Sequence, residues 1–82
     1  MYKITLQTAG KEYIESAETI DLVLEGLGLE WHDIKAKGII KVENGKQSYE
    51  HLFYLKQLRR IFGNKLTRGL WAKRLQILLE AK

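Results

Sequence analysis

The sequence predicts an α+β fold of order β-β-α-β-β-α-α, with two β-hairpins in an antiparallel sheet, a central helix between them and two C-terminal helices. Three observations carry that prediction. Apolar and polar residues alternate from Tyr2 to Gln7, the period of a strand with one covered face. An Asn44-Gly45 pair separates two segments containing β-branched and aromatic residues, as in a tight hairpin. From Leu55 onward the apolar residues recur at helical spacing.

Each element follows from its own residues. Tyr2, Ile4 and Leu6 share one face of the first strand, and Ala9-Gly10-Lys11 reads as a turn. Residues 12–17 resume extended structure with two registers open: a two-residue loop sets Tyr13 opposite Leu6, and a three-residue loop with a bulge sets Ile14 there. Thr19 is a candidate N-cap, because its hydroxyl accepts an unpaired amide of the first turn, and Asp21 adds favourable charge at that end. Ile20, Val23, Leu24 and Leu27 then form one helical stripe. Gly28 is expected to end this helix in the left-handed conformation that only glycine adopts without steric cost. A further turn is expected over residues 29–35, with Trp31 and Ile34 inward.

The Asn44-Gly45 pair predicts a type I′ turn, since both residues tolerate positive φ. That turn sets Val42 opposite Gln47, Ile40 opposite Tyr49 and Glu43 against Lys46, with the second strand continuing into Leu52-Phe53-Tyr54. Leu55, Leu58, Ile61 and Phe62 line one side of a short helix, with Lys56, Arg59 and Arg60 on the other. Gly63 interrupts it. Asn64 caps a last helix running to about Glu80.

At 82 residues the chain predicts one domain, residues 1–82, whose small core must hold without disulfides because Cys is absent. No linker, repeat or low-complexity tract divides it. The alternating N-terminus does not resemble a secretory signal, and the longest apolar run, Leu52 to Leu55, falls far short of the roughly 18 residues that span a bilayer. A soluble, cytoplasmic protein is expected, with membrane attachment disfavoured.

Net charge of +4 conceals an asymmetry. The first fifty residues carry nine acids against six lysines, whereas residues 51–82 carry eight bases against Glu80. Such a separation either draws an anionic partner to the C-terminal third or lets the two halves attract each other. The last helix sharpens the question. At 100° per residue, Trp71, Ala72, Leu75, Leu78 and Leu79 form one apolar sector, and Leu66, Leu70 and Ile77 form a second roughly opposite. A surface helix needs only one stripe, and so small a domain has little material to cover both. Leu66, Leu70 and Ile77 are therefore the candidate contact for a protein partner or for self-association, with Arg68, Lys73 and Arg74 steering or rimming it.

The alternative partner is nucleic acid, held through Arg59, Arg60, Lys65, Arg68, Lys73 and Arg74. Gly63 stands where a helix-turn-helix often places a glycine. Arg59 stands where close helix packing wants a small residue, however, and Gly69 where the second helix should present an apolar one. Phe62 and Trp71 lie on apolar stripes and read as packing residues before base-stacking ones.

Chemistry finds no support. His32 in Glu30-Trp31-His32-Asp33 lacks a second histidine one helical turn away, the other being His51, so no metal site is expected. Ser16 and Ser48 have no nucleophile motif around them, and Gly26-Leu27-Gly28 closes a helix where a phosphate loop would open one. Neither an enzyme nor a cofactor or small-molecule substrate is expected. Nothing in the sequence makes switches of His32 and His51.

The run KGIIKVENGKQSYEHLFYLKQLRRIFGNKLTRGLWAKRLQILL over residues 37–79, preceded by TAGK and LGLEWHDIKAKG, resembles small uncharacterised proteins of phages and prophages of Gram-positive bacteria. The resemblance implies an accessory or assembly factor working inside a bacterial host cell. It transfers no functional residue.

Overall fold

The alternating segments form four strands of one sheet: β1 (Tyr2–Thr8), β2 (Lys11–Ala17), β3 (Lys37–Glu43) and β4 (Ser48–Tyr54). The periodic segments form α1 (Ile20–Leu27), α2 (Leu55–Phe62) and α3 (Lys65–Glu80), in the expected order. The structure is a computed structural model that describes residues 1–28, 32 and 34–81. Of the turn expected over residues 29–35, Trp31 lies outside the described residues and Ile34 is buried.

The sheet order is β2-β1-β3-β4 with every neighbouring pair antiparallel. The two hairpins join through β1 and β3, where Ile4 meets Val42 and Leu6 meets Ile40. All four of those side chains are buried, because period-two alternation sends them to one face together with Phe53. The three helices add Ile20, Val23, Leu24 and Leu27 from α1, Leu58, Ile61 and Phe62 from α2, and Ala72, Leu75 and Leu79 from α3 to the same core. On the opposite face Lys3 and Lys41 reach Glu43 at 3.5 and 3.6 Å.

The first hairpin takes the shorter of its two open registers. Thr8 pairs with Lys11 and Leu6 with Tyr13, leaving Ala9-Gly10 as the loop, with Gly10 at φ 83°. The second hairpin departs from expectation. Glu43 pairs with Ser48, Val42 with Tyr49 and Ile40 with His51, two residues beyond the register that a turn centred on Asn44-Gly45 sets. Gly45 alone at this turn has positive φ, 92°, and the Asn44 amide donates to the Gln47 carbonyl at 3.2 Å. The loop is thus Gly45-Lys46, with glycine at the first central position as in a type II′ turn. Asn44 is held outside it because its Oδ1 accepts the amides of Lys46 and Gln47 at 3.0 and 2.9 Å. A slip of two preserves the face of every side chain, so the core is unaffected.

One helix end also differs. Thr19 caps α1 as expected, its hydroxyl accepting from the Leu22 amide at 3.2 Å. Gly28 closes it in the right-handed region at φ −61°, not the left-handed one, and donates to the Glu25 carbonyl at 3.2 Å. The final turn tightens here without reversing.

Candidate interaction surface

Four of the eight large apolar side chains left exposed belong to α3, among the described residues, and the position of that helix is set at Asn64. The Asn64 Oδ1 accepts the amides of Leu66 and Thr67 at 2.8 and 3.4 Å, supplying partners for two otherwise unpaired donors. The Thr67 hydroxyl donates to the Arg60 carbonyl at 2.5 Å and ties the start of α3 to the end of α2. With its start held there, the helix turns Ala72, Leu75 and Leu79 into the core.

Leu66, Leu70 and Ile77 consequently point the other way. They are 81%, 59% and 66% exposed and form a line about 16 Å long, since they span eleven residues of helix. Leu78, expected in the inward sector, is 37% exposed at the edge of that sector, and Trp71 is half-buried.

Lys73 and Arg74 are exposed along the two margins of this line. Arg68 is not with them. Its side chain is 15% exposed and turns to α1, with Nε 3.1 Å from Asp21 Oδ1 and Nη2 3.9 Å from Glu25 Oε2. One base of the C-terminal third is therefore neutralised within the molecule. The other members of the basic set, Arg59, Arg60 and Lys65, are exposed, and none of these five remaining bases forms an ion pair among the described residues. The single acid of α2 and α3, Glu80, accepts from Gln76 at 2.9 Å.

Tertiary packing adds a feature that sequence reasoning missed. Tyr49, His51 and Phe53 follow one another along the helix-facing side of β4, with ring centroids 6.2 and 4.9 Å apart. Phe53 meets Trp71 edge-on at 5.5 Å, and the Arg74 guanidinium lies 5.1 Å from the Trp71 ring. The period-two aromatic spacing on β4 was a visible signal for the row, but its continuation onto α3 joins residues eighteen positions apart. On the other margin of the line a shallow groove of about 370 Å³ separates α3 from the start of α1, bounded by Ile20, Asp21, Ala72, Lys73, Gln76 and Ile77.

Such a surface can bury apolar groups and attract anions. Among the described residues no group of His, Asp and Glu is placed to hold a metal ion, and no helix is long and apolar enough to cross a membrane. His32 and His51 are both exposed, and Glu30, Trp31 and Asp33 lie outside the described residues. The chain matches no protein-family model, no curated protein and no solved structure.

Proposed function

We propose that this chain is a small non-enzymatic binding module whose α3 docks on a protein partner or on itself, in the manner of a phage-type accessory or assembly factor inside a bacterial host cell. One observation carries the reading: Leu66, Leu70 and Ile77 lie in line on the side of α3 opposite Ala72, Leu75 and Leu79. Three large apolar side chains in a row gain from being covered, each by roughly 1.5–3 kcal/mol when fully buried. Lys73 and Arg74 form the charged rim.

Leu70→Asp tests it. The variant should melt cooperatively within a few degrees of the wild type and lose the association that light scattering records with partner or copy. Global unfolding of Leu70→Asp would place the residue in the core and end the proposal.

Nucleic-acid binding is the second reading, supported by the exposure of Arg59, Arg60, Lys65, Lys73 and Arg74. It ranks below the first because the outward side of α3, which a groove-reading helix would present to base edges, carries leucine and isoleucine. Its mark is affinity for a short duplex that falls steeply with salt as counterions are released. Absence of binding at low salt eliminates it.

A further inference from the structure

We infer that the occupant of the α3 surface is an acidic amphipathic helix of a different protein, an inference that rests on the docking role proposed above. Charge decides between this partner and a second copy. Lys73 and Arg74 border the apolar line, and Lys65 stands just before its N-terminal end, where the Thr67 hydroxyl meets the Arg60 carbonyl. Glu80, already bonded to Gln76, is the sole acid on α2 and α3. Arg68, the base nearest to compensation, is withdrawn toward Asp21 and Glu25.

A second copy docking through the same face meets the same charges. An antiparallel twofold contact that matches Leu66 with Ile77 brings the two copies' Lys73 side chains within about one helical turn of each other at the centre. Parallel contact sets Lys73 of one copy beside Arg74 of the other. Like charges so juxtaposed disfavour association, whereas carboxylates there complement it.

Shape agrees with a helix as the ligand. The line is about 16 Å long, which matches three turns of a partner helix carrying apolar residues at i, i+4 and i+7 or i+11. The groove between α3 and the start of α1, lined by Asp21 and Lys73 as well as by Ile20, Ala72 and Ile77, has room for an apolar anchoring side chain. Arg74, 5.1 Å over the Trp71 ring, presents its charge on the opposite margin. One helix on one helix buries less than the usual 800 Å² or so per partner, so a weak, reversible complex is expected.

The test uses three fluorescent, designed helical peptides of about 18 residues, identical in a leucine stripe and flanked by Glu, Gln or Lys. Anisotropy titrations with the full chain should rank them Glu, Gln, Lys, with about tenfold or more between Glu and Lys at low salt and a much smaller gap near molar salt. The double variant Lys73→Glu with Arg74→Glu, checked for an unchanged melt, should invert that order. Equal affinities for all three peptides, lost together in Leu70→Asp, would overturn the acidic partner while leaving apolar docking intact. Overturning would also follow from Leu70-dependent dimers of the wild type, from tighter salt-sensitive binding of a short duplex, or from no binding of any peptide at millimolar concentration.

Discussion

Arg68 and Arg74 stand six residues apart on one helix and meet opposite fates. Arg68 is largely covered and paired with Asp21, whereas Arg74 lies over Trp71 beside the exposed apolar line. The sequence contained a sign of this: at 100° per residue Arg68 falls among Ala72, Leu75 and Leu79, the sector that turns inward. Its acidic partners could not be read the same way, because α1 lies more than forty residues earlier in the chain. Asp21 is half exposed, so the pair contributes only on the order of 1 kcal/mol or less. Gly69 gives a cleaner residue-scale prediction. A Cβ built there meets nothing within 4 Å, so Gly69→Ala removes backbone entropy from the unfolded chain without a clash. It should raise stability by about 0.5–1 kcal/mol in urea unfolding, and destabilisation would mean that the site is less open than it is here.

Elements depend on their ends. Asn64 holds the Leu66 and Thr67 amides in the first turn of α3 and so decides where that helix begins. Asn64→Ala should cost about 1 kcal/mol of unfolding free energy, seen as a lower urea midpoint, with Asn64→Asp close to neutral because an aspartate caps equally well. At the second hairpin, local chemistry misled. Asn44-Gly45 is a strong turn pair, and a hairpin is where it was expected, yet the Asn44 side chain binds the next two free amides and moves the turn one residue along. The competition between a side-chain and a backbone turn is small in energy. It is decided by the whole length of pairing out to Lys37 and Tyr54, which no dipeptide reveals.

At the scale of the molecule, three helices cover one side of the sheet and the core ends there. α3 packs on α1, α2, β3 and β4 with one of its faces, and nothing among the described residues is left to cover the other. The two faces should therefore answer mutation differently. Leu75 is fully buried, and Leu75→Ala should cost about 2–5 kcal/mol, a large share of the roughly 4–12 kcal/mol expected for a chain of this size. Leu66→Ala should change stability by about 0.5 kcal/mol or less while weakening association. Equal losses in the two variants, measured by urea unfolding, would mean that α3 buries both faces.

Element order, the N-caps Thr19 and Asn64, and the inward residues of β1 and of the first two helices were determined by the sequence, because periodicity, capping and alternation act between residues close along the chain. The tertiary structure alone decided the strand order β2-β1-β3-β4, the diversion of Arg68 to α1, and the joining of the β4 aromatic row to Trp71 and Arg74. It also decided which of α3's apolar faces remains open, since a helix with two such faces is locally satisfied by burying either. That choice belongs to the shape of the core into which Ala72, Leu75 and Leu79 fit.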